Sequence, residues 1–168
     1  MKKPLVSIII LTYGNQLSHI KRCLQSLKKV SFYSYEIILV DNASTDNTVA
    51  YVKKYFPNVI LIESKNNLGF AEGNNVWLKK SKGEYILFLN NDAEVTPHFL
   101  EPLVVLMQED ETVGVVQPKI RQLLEKEKLD ACASFLTNTG FLYHYGYSQK
   151  QHLKKYNTNL FMYSVKGA

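Results

Sequence analysis

Residues 83–97 read GEYILFLNNDAEVTP, and this stretch constrains the fold more than any other. Tyr85 to Leu89 are aromatic or aliphatic without interruption, with Gly83 just before them and Asn90, Asn91 and Asp92 directly after. A strand with one wet face alternates polar and apolar residues. A short unbroken run bounded by Gly and by Asn/Asp reads instead as a strand covered on both faces. Such strands belong to parallel sheets layered between helices, where ligands sit outside the carboxyl ends of the strands. Asn90, Asn91 and Asp92 fall at that end. A carboxylate there can hold a hard divalent cation, which can grip phosphate oxygens. The same triplet is also ordinary turn chemistry, so the rest of the chain has to decide.

The pattern recurs. Residues 5–11, LVSIIIL, form a second apolar run that ends at Thr12, Tyr13 and Gly14. Residues 36–40, EIILV, form a third that ends at Asp41, and residues 59–62, VILI, a short fourth. Helical spacing fills the gaps. Leu17, Ile20, Leu24, Leu27 and Val30 make one apolar face across residues 16–30. A second helix runs from a cap at Ser44, Thr45 or Asp46 to about Phe56, and a third from about Phe70 to Lys80. A fourth is expected to start with Thr96 as cap and Pro97 in the first helical position, ending near Gln108. A further strand is expected over residues 113–117. Strand and helix in alternation predict an α/β fold with a mostly parallel sheet.

Beyond Pro118 the character changes. Residues 120–129 are charged and fit a short helix or a surface excursion. Residues 130–147 mix Thr, Phe, Tyr and Gly and suggest short, antiparallel strands or an extended loop. Residues 160–165 read as a last apolar strand. The chain stops close behind it, so we expect these 168 residues to be part of something longer. Their number suits one domain.

Composition narrows the partners. The net charge is +5, which favours anionic ligands or surfaces. The lysines form no Arg-rich stripe and no known module, so a nucleic-acid partner is not expected. Cys23 and Cys132 have no ligand spacing and read as thiols of a reduced compartment, the cytoplasm. No leader is expected before the first strand, and residues 5–11 are too short to span a bilayer, which leaves peripheral contact with the inner membrane face open. There is no P-loop, GxGxxG, HExxH or GxSxG pattern, so the corresponding enzyme classes have little support. The reading by residues alone is a nucleotide site at three strand ends. Tyr13 can stack on a base, Asp41 can accept its N–H groups, and Asp92 can bind a metal. Each also has a plain structural reading as core edge, Asx turn or turn.

Taken together, the segments match a known family. VSIIILTYG (Val6 to Gly14), EIILVDNASTDNTV (Glu36 to Val49), NNLGFAEGNN (Asn66 to Asn75), GEYILFLNNDAEVTP (Gly83 to Pro97), VGVVQPKI (Val113 to Ile120) and YSVKGA (Tyr163 to Ala168) occur in order. With them the chain resembles the family 2 inverting glycosyltransferases of GT-A fold, most closely the rhamnosyltransferase-like branch of cell-surface polysaccharide synthesis. The resemblance implies a single GT-A domain, with a nucleotide-sugar part to about residue 118 and the start of an acceptor part after it. It implies a nucleotide-diphospho-sugar donor, UDP- or TDP-linked, a saccharide or lipid-linked acceptor, and Mg²⁺ or Mn²⁺. Carried over residue by residue, Thr12 and Tyr13 would line base and ribose, and Asp41 would bond the base. Asn67, Gly69, Phe70 and Asn74 would border the nucleotide and its diphosphate. Asn90-Asn91-Asp92 would stand for the family's Asp-x-Asp motif, with Asp92 on the metal and Asn90 where many members carry Asp. The family's catalytic base is a carboxylate beyond the position of Ala168, so no residue here is named as base. The alternative is a domain that binds a nucleotide sugar and transfers nothing.

Overall fold

The computed structural model describes residues 3–166. Lys2, and the Gly167 and Ala168 that close the YSVKGA segment, lie outside them. The chain gathers into two compact units, one ending at Leu100 and the other beginning at Glu101.

The first unit is built on four parallel strands, β1 (Val6–Thr12), β2 (Tyr35–Asn42), β3 (Ile60–Ser64) and β4 (Tyr85–Asn90), in the order β3-β2-β1-β4. Helices α1 (Leu17–Leu27), α2 (Thr48–Tyr55) and α3 (Gly69–Leu78) connect them. The path steps outward from β1 to β3, then returns across β2 and β1 to place β4 on the far side. Right-handed crossovers therefore put α1 and α2 on one face and α3 on the other. Trp77 of α3 packs with Leu11, Ile62 and Ile86 on the cluster Ile9, Ile38 and Val40. Ile8, Ile10 and Leu39, of opposite parity, are fully buried, as are Ile20, Cys23 and Leu27 on the inner face of α1. Both faces of β1 are thus covered, which is what its nearly continuous apolar run predicts. The same was expected of β4, but it lies at the edge of the sheet with Phe88 47% exposed, because no strand follows it there among the described residues.

One close approach sets the sheet's geometry. Gly83 lies so near β1 that a Cβ would stand 2.4 Å from the Ser7 nitrogen. Its N–H donates to the Ser7 hydroxyl (2.8 Å), which donates to Glu36 Oε1 (2.6 Å). Glu36 also accepts from the Lys82 N–H at 2.7 Å. One buried serine and one carboxylate thereby fasten the start of β4 to β1 and β2.

The predicted helices over residues 16–30, to Phe56 and over residues 70–80 are present with trimmed ends. The fourth differs: α4 (Leu100–Glu109) begins after Pro97, not at it. The Pro97 carbonyl accepts from both the Ser31 N–H (2.9 Å) and the Ser31 hydroxyl (3.0 Å), and Phe99 N–H closes a turn on Thr96. Those bonds compete with a helix at that point. Pro102, in the first turn of α4, costs no bond there.

The second unit carries the larger corrections. Residues 113–117 form no strand: no ladder partner is present among the described residues, and Val115 is 67% exposed. An apolar run without a neighbouring strand has nowhere to place its backbone hydrogen bonds. The charged stretch folds back instead as β5 (Ile120–Arg121) against β6 (Leu129–Ala131), antiparallel. β7 (Ala133–Leu136) pairs antiparallel with β8 (Leu142–Tyr145), as the Thr/Tyr/Gly pattern suggested. The last predicted strand reduces to one bridge, Ser134 to Ser164, with Phe161 93% exposed.

Candidate functional site

Strand order decides where a ligand can lie. The neighbours of β1 are reached by connections that run in opposite senses, so a crevice opens at the carboxyl ends of β1 and β4. Register brings the three sequence clusters to this edge: Thr12 is opposite Asp41, and Leu11 is opposite Asn90. A cleft of about 490 Å³ occupies it. Of the ten expected site residues, Thr12, Tyr13, Asn67, Gly69, Phe70, Asn91 and Asp92 line this cleft, while Asp41, Asn74 and Asn90 do not.

Asn91 and Asp92 follow β4 in a turn closed by the Ala93 N–H on the Asn90 carbonyl, 3.2 Å. The Asn91 amide donates to the Thr12 hydroxyl (3.2 Å), linking the ends of β4 and β1. The loop beyond is pinned to α1: Val95 N–H donates to the Ser26 hydroxyl (3.0 Å), and Arg22 pairs with Glu94 at 3.6 Å. Asp92 itself is exposed and makes no ion pair among the described residues. Its charge is felt beneath: burial first, then Asp92 and Glu94, push the Cys23 thiol up to about 12. Cys23 is therefore a protonated, inert group and not a nucleophile.

Asp41 is 4% exposed, and its Oδ2 accepts from the Ser44 N–H at 3.2 Å. Its Oδ1 is buried without a partner. Buried acceptors are nearly always satisfied, so this oxygen is unusual among the described residues. Ala43, two residues on, holds φ at 64°, a left-handed conformation that costs an alanine about 1 kcal/mol. Strain and an open acceptor occur in the same turn.

Asn42 was not among the expected residues. Its side chain is 1% exposed and organises the opposite wall. Its amide donates to Asn67 Oδ1 (2.6 Å) and the Gly69 carbonyl (3.3 Å), and its oxygen accepts from the Leu68 N–H (2.9 Å). Asn67 Oδ1 also accepts from the Gly69 N–H at 2.8 Å. Gly69 needs its missing side chain to hold φ at 75° where α3 begins. Asn74 is turned inward, donating to the Phe70 carbonyl (2.8 Å), so it shapes the first turn of α3 from behind the wall. Gln16 and His19, hydrogen-bonded to one another, contribute the start of α1 to the lining. The signal for Asn42 was strand parity: it shares the face of Ile38 and Val40, against which α3 packs, whereas Asp41 faces the other way.

No group of three His, Cys, Asp or Glu side chains able to hold a metal occurs among the described residues. Asp92, with the Asn91 amide beside it, fits a cation that keeps most of its coordination for phosphate oxygens and water, as Mg²⁺ does. No helix among the described residues is long and apolar enough to cross a membrane.

Known proteins share this arrangement. Chondroitin synthase of Pasteurella multocida is 33% identical over 67% of this chain and 12% of its own length. The structure of Staphylococcus aureus TarS in complex with UDP is 28% identical and superposes with a TM-score of 0.58, covering 70% of this chain and 39% of that one. A mannosyltransferase from Pyrobaculum calidifontis, in complex with GDP-Man and Mn²⁺, is 27% identical with a TM-score of 0.63, over 72% of this chain and 37% of its own. The chain thus spans well under half the length of the curated relatives it matches. The fold is the GT-A arrangement of α/β layers, with its mostly parallel sheet flanked by helices. With the model for "Glycosyl transferase family 2" matching residues 7–166, the chain belongs to glycosyl transferase family 2.

Proposed function

We propose that this chain binds a nucleoside-diphosphate sugar, UDP- or TDP-linked, in the carboxyl-edge cleft. As a glycosyltransferase it passes the sugar, with inversion, to a saccharide or lipid-linked acceptor in cell-surface polysaccharide synthesis, as in the rhamnosyltransferase-like branch. The observation that carries the reading is Asp92, the one carboxylate among the residues lining the cleft and one without an ion-pair partner among the described residues. A diphosphate placed against it is repelled unless a divalent cation lies between them, and then the same carboxylate attracts. Support comes from TarS, seen with UDP, and from the mannosyltransferase, seen with GDP-Man and Mn²⁺.

Each wall has a role in this reading. Tyr13 and Phe70, 54% and 66% exposed, offer ring faces to a base. Asp41 lies behind the lining, so its Oδ1 accepts a base N–H, and selects the nucleotide, only when the Ala43 turn beside it gives way. Thr12 borders the ribose, while Asn67, the backbone of Gly69 and the first turn of α3, shaped by Asn74, border the diphosphate. Asn90 supports the turn through its backbone, and Asn91 holds that turn against β1. Asp92 would hold Mg²⁺ or Mn²⁺, whose charge stabilises the leaving diphosphate when bound. The base that takes the acceptor's proton is assigned to none of these residues.

Calorimetric titration with UDP, TDP, GDP and CDP, with and without Mn²⁺, tests the site. The expected result is Mn²⁺-dependent binding of one pyrimidine diphosphate, weakened at least about thirtyfold in Asp92→Ala, the loss of about 2 kcal/mol of charge-assisted contact. Failure of all four nucleotides to bind in the presence of Mn²⁺ sinks the reading. So does binding that Asp92→Ala leaves unchanged.

A further inference from the structure

The first acidic residue of the chain is Glu36, and none occurs between Asn47 and Ile62. Helices α1 and α2 and the turns that end them therefore carry basic charge alone. The two helices lie side by side on one face of the sheet. Lys21 of α1 sits over the Tyr51 ring of α2 (4.8 Å), and Lys28, the C-cap of α1, over Phe56, the C-cap of α2 (4.3 Å). Lys28 also donates to the Tyr55 carbonyl at 3.4 Å. On the same side Lys54 lies over Tyr55 at 5.0 Å, and Lys29 is exposed. Four carboxylates reach these helices or their edges, and each is already committed. Glu94 pairs with Arg22 (3.6 Å), and Asp46 accepts from the Leu17 and Thr48 N–H groups. Glu63 pairs with Lys53 (2.7 Å), and Glu36 is spent on Ser7 and the Lys82 N–H. Lys21, Lys28, Lys29 and Lys54 have no acidic partner among the described residues.

The aromatic groups are placed with the charge. Tyr33, in the turn after α1, is 95% exposed, and Tyr55 is 49% exposed. Between them a groove of about 520 Å³ opens, lined by Lys28, Phe32, Tyr33, Tyr55, Phe56 and other residues of the amino edge. A tyrosine with its ring out and lysines beside it is the composition of a surface that rests at lipid headgroups. A nucleic-acid face would offer free rings for stacking and arginines for phosphate. Here several rings are already covered by lysine, and the free cations are lysines.

We propose that the α1/α2 face, with Tyr33 and Tyr55, docks this chain on an anionic lipid surface. Charge complementarity names the occupant: a face with unpaired lysines and no acid on either helix is held where anionic headgroups gather, and each lysine adds a comparable increment. The groove lies at the amino edge of the sheet and the cleft at the carboxyl edge. Docking through this face therefore leaves the cleft open to solutes. The proposal stands independently of what the cleft binds.

Co-sedimentation of the purified chain with vesicles tests it. Vesicles of neutral phosphatidylcholine are compared with vesicles containing about one third phosphatidylglycerol, at low and at 0.5 M salt (the latter roughly a Debye length of 4 Å). The expected result is binding to the anionic vesicles that high salt abolishes. Lys29→Glu and Lys54→Glu should each weaken it about fivefold or more, and Tyr33→Ser should weaken it at unchanged salt dependence. Reversal of Lys126 and Lys154, exposed in the second unit, serves as the control and should leave it within twofold. Lys29 is exposed with no ion-pair partner among the described residues, so Lys29→Glu alone keeps the test valid if the Lys54 variant misfolds. Equal binding to neutral vesicles, no binding at low salt, or an equal loss in the control variant overturns the proposal. Tighter capture by a single-stranded oligonucleotide, lost in the same lysine variants, overturns it in favour of nucleic acid.

Discussion

The two edges of the four-stranded sheet spend their polar groups in opposite ways. At the amino edge, Ser7, Glu36, Lys82 and Gly83 form a closed set in which each donor finds an acceptor inside the chain. The Leu5 N–H likewise meets both the carbonyl and the hydroxyl of Ser34. At the carboxyl edge, Asp41 keeps a buried oxygen unpartnered, Ala43 is held in a left-handed turn, and Asp92 faces out without a counter-charge among the described residues. The first edge fastens strands together. The second leaves groups unpartnered and a turn strained, at a cost in stability.

The comparison breaks most sharply at Gly83. A Cβ there would stand 2.4 Å from the Ser7 nitrogen and 2.7 Å from the Val6 carbonyl carbon, both backbone atoms that cannot swing aside. Gly83→Ala should cost about 3 kcal/mol and lower the melting temperature by about 10 °C. Urea unfolding measures it. A change below about 1 kcal/mol would mean that β4 is not clamped to β1 in this way.

Asp41→Asn sharpens the other side. The variant keeps an oxygen for the Ser44 N–H but puts an NH₂ where the unpartnered oxygen stood. Nucleotide affinity should fall about tenfold, while stability holds or rises, because an unpaired buried charge has been removed. Calorimetry and urea midpoints on the same preparation separate the two. Loss of stability with unchanged affinity would make Asp41 a structural turn residue.

This division also explains what could be read from the sequence. The four parallel strands were legible because each holds a short, nearly continuous apolar run, and their polar ends were legible as the next residues along. Asn42 was not, since its role depends on parity against α3, a helix placed only by the crossover from β3 to β4. Nor was the inward turn of Asn74, which the residue type does not announce. The strands expected at residues 113–117 and 160–165 failed for a different reason. Apolar content gives a strand a face to bury, but the ladder needs a neighbour, and sequence does not say which segments will be adjacent.

Relief of strain gives a smaller effect of known sign. Ala43→Gly removes the left-handed penalty and should stabilise the chain by about 1 kcal/mol, seen as a rise in urea midpoint. A decrease would show that the alanine methyl contributes packing that outweighs its strain.

The smallest effect is carried by Asp46, which lies between the two styles. Its Oδ2 accepts from the Leu17 N–H (3.0 Å) and its Oδ1 from the Thr48 N–H (2.9 Å), so one carboxylate caps the starts of both α1 and α2. Burial opposes its ionisation, but the hydrogen bonds from Thr48 and Leu17 together outweigh it and hold the carboxyl below the usual aspartate range. A lowered pKa in the folded state means that the unfolded chain takes up the proton first. The stabilisation is therefore fully present above the unfolded value of about 3.9 and fades as the pH falls through the folded value. Urea midpoints from pH 7 to pH 2.5 should show Asp46→Asn less stable than the native chain at neutral pH. The gap should begin to narrow below about pH 4 and close only once the pH has fallen through the lowered folded value, where both side chains are neutral. A gap that stays constant with pH would assign the loss to capping geometry alone, with no contribution from charge at the two helix starts.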